Sequence, residues 1–198
     1  MRVKSQWFNS GRSKSPAEIA SAAAVISWRI ALNALKEMRS AGFDIAVGPQ
    51  YFSFLSEFAI FLVQLADRIA YRQFEEEDRI AFTNAMANHV GDHMADNQSE
   101  LLGGAPMNVY KAAFIDRLNQ RAAQYAQFQY EPGGANFSFL RELGNCLEEV
   151  LDERDKHWVV DQVIAIQGPE AIETLEKSMR GLLGQEPKRQ RTRSGGGD

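Results

Sequence analysis

The chain has 198 residues, of which 44% are hydrophobic and 24% are charged, and its formal net charge is −4. This length and apolar content suffice for one compact domain with a substantial core. The single cysteine, Cys146, excludes an internal disulfide, and no uninterrupted apolar run reaches the roughly 18 residues of a membrane span.

The charges are unevenly distributed along the chain. Residues 1–14 contain four basic residues and no acid, and residues 185–198 contain four basic residues and two acids. The 14 basic and 24 acidic residues between these ends give a net charge of −10, which disfavours a nucleic-acid-binding core because it repels phosphate. The sequence therefore predicts a basic N-terminal arm (1–14), an all-helical domain (15–184) and a disordered basic C-terminal tail (185–198). Because the N-terminus lacks the apolar segment and cleavage site of a signal peptide, we expect a cytoplasmic protein.

The first helix has clear boundary signals. Ser15 is suited to the N-cap, Pro16 to the first helical position, and Glu18 to the third position of a capping box. Apolar residues then recur at helical spacing until Gly42, which predicts the end of the helix.

The second helix is predicted to be the central one. It begins at residues 48–50 and runs to about Phe74 through the most apolar stretch of the chain, Tyr51–Ala66. Its polar residues form only a narrow stripe, so most of its circumference should be covered. The stripe consists of Ser53, Glu57, Gln64 and Arg68.

Similar start and stop residues mark the remaining helices. An acidic run at 75–78 favours the start of a third helix, and Pro106 restarts the chain into a fourth, which the glycines of 131–134 break. A fifth begins near Asn136.

A polar interruption at 152–157 predicts a bend or two shorter helices, and a last helix runs from Pro169 to about Leu183 after a stop at 167–170. No strand-like alternation occurs, so the sequence predicts an all-α, single compact bundle of six or seven helices.

A histidine pair on the third helix is the candidate metal site. His89 and His93 are one helical turn apart, so both imidazoles project from one face and can bind one ion, zinc or iron. Helical phasing places them in line with Phe82 and Met86, beside the core. A further ligand is needed, and Glu57 on the central helix is the first candidate.

Asp67 and His157 are the alternative third ligands for the metal site. Two other interpretations of the histidine pair also stay open. The spacing lacks both the internal Glu of zinc proteases and the Glu-x-x-His pairs of di-iron bundles, which favours structural histidines bordering the core. A pH-sensitive contact is the third interpretation.

No catalytic motif is found in the sequence. Glu148 and Glu149 lie close to Cys146, and their charge disfavours a thiolate, so we expect a buried structural thiol. The chain has no G-x-S-x-G sequence and no glycine-rich phosphate loop followed by Lys-Ser/Thr. Trp7 and Phe8, in the basic arm, are expected to dock on the domain or on another subunit.

These observations predict a non-enzymatic helical interaction or regulatory protein whose partner is another protein or a second copy in a homodimer. The basic tail carries too few charges for strong phosphate binding and is best explained as a solubilising end. The alternative function is a metal-binding protein or metal-dependent enzyme that uses His89, His93 and Glu57.

Overall fold

The structure, a computed structural model, describes residues 14–184 and is built of helices. The elements are α1 (Pro16–Ser40), α2 (Pro49–Tyr71), α3 (Glu76–Leu102), α4 (Met107–Tyr125), α5 (Phe137–Glu148), α6 (Glu153–Gln162), a π-helical turn (Val163–Gln167) and α7 (Gly168–Leu182). The π turn joins α6 and α7 into one continuous helix. No strand occurs within these residues, and the predicted all-α bundle of six or seven helices is confirmed.

The start of α1 is the predicted capping box. The Ser15 hydroxyl accepts the backbone N–H of Glu18 at 3.3 Å, and the Glu18 carboxylate accepts the backbone N–H of Ser15 at 2.8 Å. Both bonds satisfy donors that the first helical turn leaves free. The helix ends at Ser40, just before Gly42, whose φ of +96° favours glycine.

Helix α2 is the centre of the bundle, as predicted. It packs against α1, α3, α4, α5 and α7, and its apolar side chains are buried around most of the helix. The Phe61 ring contacts Phe139 of α5 and Tyr125 of α4, with ring centroids 5.2 and 6.3 Å apart. A residue on α2 is therefore within reach of most other helices.

Helix α4 is shorter than the sequence predicts. It ends at Tyr125, before the glycine-containing loop. The Arg68 guanidinium donates to the carbonyl of Tyr125 at 2.9 Å, and that of Arg72 donates to the carbonyl of Tyr130 at 3.2 Å. Arg68 and Arg72 of α2 thus hold the segment that follows α4 against α2.

The predicted helix stop at residues 167–170 is wrong. The helix continues, because Gly168 donates its N–H to the carbonyl of Val163, five residues back, in a π turn. The wider turn accommodates Pro169, which has no N–H to donate and whose ring would clash in a regular helix. Gly168 is required by packing, since a Cβ there would lie 2.4 Å from a Leu140 methyl carbon and 2.7 Å from the Val163 carbonyl oxygen.

One helix of the described part of the chain, Pro16–Ser40, is long and apolar enough to cross a membrane by length and composition. Half of its most apolar 18-residue segment is buried inside the bundle. Buried helices of globular domains share this composition. The predicted properties of residues 1–13, including Trp7 and Phe8, and of the tail 185–198 lie outside the described residues.

Candidate functional site

The two histidines lie at the border of the core. His89 and His93 are half-buried on α3, on the side where Phe82 and Met86 are fully buried. The His93 ring stacks on Trp28 of α1, with centroids 6.1 Å apart and an interplanar angle of 23°. The neighbour that faces His93 across the helix interface is therefore an aromatic ring.

Glu57 is not brought together with the histidines. Its carboxylate accepts three N–H bonds from Arg117 and Arg121 of α4. Within residues 14–184, no group of three or more His, Cys, Asp and Glu side chains is placed to hold a metal ion. The metal site stays a prediction, to be tested by zinc and iron analysis of the wild type beside a His89→Ala, His93→Ala variant.

The alternative third ligands are also placed apart from the histidines. Asp67 on α2 accepts from the Arg79 guanidinium at 2.6 and 2.9 Å and from the Thr83 hydroxyl at 2.7 Å. His157 lies on α6 with its side chain exposed.

Four charged side chains form a set that we call the ion cluster: the buried Glu57 and Arg121, and the partly exposed Arg117 and Glu149. Glu57 lies on α2, the arginines are one turn apart on α4, and Glu149 directly follows α5. Glu57 accepts from Arg117 Nε at 2.6 Å, and from Arg121 Nε and Nη2 at 3.0 and 3.1 Å. The cluster therefore ties three helices together.

Arg121 is fully hydrogen-bonded although it is almost completely buried. Besides its two bonds to Glu57, its Nη1 donates to Gln124 and Glu149 at 3.0 and 3.2 Å, and its Nη2 donates to Glu149. Arg121 is 4% exposed and Glu57 is 1% exposed. All five guanidinium donors have an acceptor, which offsets much of the cost of burying the charge.

The pKa values in the cluster follow from this pairing. Burial alone would lower the pKa of Arg121, but hydrogen bonds to Glu149 and Glu57 outweigh it and raise the pKa. The hydrogen bond from Arg121 holds the pKa of Glu149 below its ordinary range. Two positive and two negative charges neutralise one another, so the cluster carries no net charge.

Sequence reasoning missed the two arginines, although a signal was present. Arg121 falls on the apolar stripe of α4 formed by Phe114, Leu118 and Tyr125, which predicts a buried guanidinium. A buried arginine requires a carboxylate partner. Glu57, the one acid in the polar stripe of α2, was the natural candidate for this carboxylate.

Two further ionisable groups near the cluster are unsuited to chemistry at neutral pH. Burial, reinforced by the charge of Glu57, raises the pKa of Cys146 to about 12. Burial also raises the pKa of Tyr125, whose hydroxyl has no hydrogen-bond partner among the described residues. The thiol stays protonated, and Cys146 is buried, as expected from the sequence.

A second candidate site lies on the surface, where α6 meets the loop after α1. The Trp158 side chain is 67% exposed and borders a groove of about 500 Å³ that Phe43, Arg154 and Asp161 also line. The carboxylate of Asp155 accepts the backbone N–H of Asp44 at 2.7 Å, which fixes the loop against α6. The groove therefore has a wall that a hydrogen bond ties to α6 and one large exposed aromatic side chain.

No family model matches the chain, and neither a curated protein nor a solved structure matches it.

Proposed function

We propose that this chain is a non-enzymatic interaction or regulatory protein that self-associates through the Trp158 surface, defined as Trp158 with Phe43, Arg154 and Asp161. The single observation that carries the proposal is the exposure of Trp158. Tryptophan and arginine are the residues most enriched among those that dominate binding energy at protein interfaces. A tryptophan that is 67% exposed beside a groove has most of its apolar surface still to bury.

The charges around Trp158 support a contact between two copies. Arg154 lies four residues before Trp158 and Asp161 three residues after it, so all three occupy one face of α6. In a two-fold interface, a contact between one residue of the first copy and another residue of the second copy is repeated with the copies exchanged. Arg154 of each copy can therefore pair with Asp161 of the other copy, because the two residues lie at opposite ends of the surface.

The chemistry of the interior supports the non-enzymatic part of the proposal. The most buried acid of α2, Glu57, is neutralised by arginines, and the Cys146 thiol is held protonated by burial. Catalytic acids, bases and nucleophiles need an accessible group with a pKa suited to its task. Neither residue offers one.

The proposal is tested by sedimentation velocity over a range of protein concentrations. We expect the full-length wild type to form dimers and Trp158→Ala to weaken them about 30-fold, as for a residue worth about 2 kcal/mol at an interface. Leu101→Ser is the matched control, because Leu101 is 58% exposed and lies at the C-terminal end of α3, outside this surface.

Two results would overturn the proposal. One is a wild type that stays monomeric at the highest concentrations. The other is equal weakening by Leu101→Ser and Trp158→Ala, since general surface apolarity would then drive association.

A further inference from the structure

A second groove, of about 400 Å³, runs between α1 and α7. Its apolar lining includes Ile26 and Ile30 of α1 and Ala171 of α7. The volume lies within the range of roughly 300–1,000 Å³ that is typical of small-molecule sites. The groove shares no residue with the Trp158 surface.

A buried amide belongs to the lining of this groove. Gln167, the last residue of the π turn, is 3% exposed, and its Oε1 has no hydrogen-bond partner within residues 14–184. Native structures leave few buried amide oxygens unpaired, and an unpaired one is a ready acceptor for a ligand N–H. π turns inserted into α-helices are frequent at functional sites.

The charged groups along the groove determine which ligand suits it. Glu37 and Glu170 lie on opposite walls, and Arg29 is the one basic residue in the lining. The Asn33 amide donates to Glu37 Oε1 at 2.6 Å, which orients that carboxylate. Two acids against one base favour a cation.

We propose that the α1–α7 groove binds a small amphipathic cation. A flat apolar body fits between the isoleucines and Ala171, a ligand N–H bonds to Gln167 Oε1, and a positively charged amine pairs with Glu170, since the Asn33 amide already occupies Glu37. Rotation about the last side-chain torsion of Gln167, which is broad in glutamine, brings the oxygen to the ligand. This site goes beyond the proposed self-association and depends on different residues.

The experiment measures binding of tryptamine to the full-length protein by saturation-transfer NMR and calorimetry. Indole-3-propionate is the matched probe, because it keeps the indole ring and replaces the ammonium group with a carboxylate. We expect saturable binding of tryptamine and much weaker binding of the acid. Gln167→Leu should lower the tryptamine affinity about tenfold, as expected for a lost hydrogen bond.

Glu170→Gln is the second variant, and it keeps the proposal testable if Gln167→Leu does not fold, since Glu170 is an exposed residue. It should lower the affinity about fivefold and reduce its salt dependence. Glu173→Gln is the matched control, because it removes the same charge from α7 outside the groove lining.

Four results would overturn the proposal, and the first three are no saturable tryptamine binding, equal binding of both probes, and equal effects of Glu173→Gln and Glu170→Gln. Binding that appears only after Trp7 and Phe8 are both replaced by alanine would also overturn it. The chain's own residues would then be the occupant of the groove.

Discussion

Replacing Glu57 by glutamine should be among the most destabilising single changes in this protein. The substitution keeps the size of the side chain but removes the charge that accepts three N–H bonds from Arg117 and Arg121. Arg121 is 4% exposed, so water cannot replace the lost partner, whereas Arg117 is about one-third exposed and is partly screened. Removing one partner from a buried ion pair costs about 3–5 kcal/mol. Arg121 keeps its bonds to Glu149, and Arg117 is partly screened, so we expect a loss near the lower end of this range.

The assay is urea unfolding followed by circular dichroism, with the slope of the transition checked for constancy. Glu153→Gln is the control, because it breaks the exposed ion pair with Lys156 and should leave the midpoint unchanged. The single variant Arg121→Met and the double variant Glu57→Gln, Arg121→Met complete a double-mutant cycle, which isolates the coupling free energy between the two residues. A loss below about 1 kcal/mol for Glu57→Gln, with an unchanged slope, would refute the argument that burial makes the cluster strong.

Three further predictions concern pH, thiol reactivity and packing. The hydrogen bond from Arg121 lowers the pKa of Glu149 in the folded state. The contribution of Glu149 to stability is therefore complete above the ordinary glutamate pKa of about 4.3 and is lost as the pH falls through the lowered pKa. The urea midpoints of the wild type and of Glu149→Gln should converge in acid. Cys146, with a pKa of about 12, should react with iodoacetamide at neutral pH far more slowly in the native protein than in urea, as mass spectrometry would show. Gly168→Ala should lower the free energy of unfolding by about 1–3 kcal/mol in urea titrations, because the new methyl group would overlap a Leu140 methyl carbon and a backbone oxygen.

Each of these predictions has a contradicting result. Parallel acid titrations of the wild type and Glu149→Gln would mean that the glutamate adds no pH-dependent stability. Equal alkylation rates in native and unfolded protein would contradict the buried thiol. For the glycine, Gly104→Ala is the control, since a Cβ there would meet only the Tyr110 hydroxyl at 3.5 Å, and an equal effect of both changes would contradict the packing argument.

The fold was largely predictable because helix ends depend on local chemistry. The Ser15–Glu18 capping box joins residues three positions apart, and Gly42 adopts the positive φ that its lack of a side chain permits. Helical periodicity likewise identified α2 as the central helix, since burial around most of its circumference requires apolar residues there.

The π turn and the ion cluster were not predictable from local chemistry. A Gly-Pro pair ends a helix in most contexts, and the continuation through Gly168 depends on its fit against Leu140 of α5. The sequence indicates that Arg121 is buried and needs a carboxylate. That α4 and the end of α5 both meet α2 at Glu57 depends on tertiary packing, which a single sequence does not contain. The sequence did place Glu57 on the polar stripe of the central helix, which was the right residue with a different partner.

The ion cluster also bears on the rate at which the protein unfolds. Its members come from positions 57, 117, 121 and 149, so closing it requires that α2, α4 and α5 have already met. Interactions that need such distant segments tend to form after the folding transition state, and stabilising them slows unfolding with little effect on folding. The cluster would then determine how long a native molecule persists, which is the property that governs its resistance to irreversible inactivation.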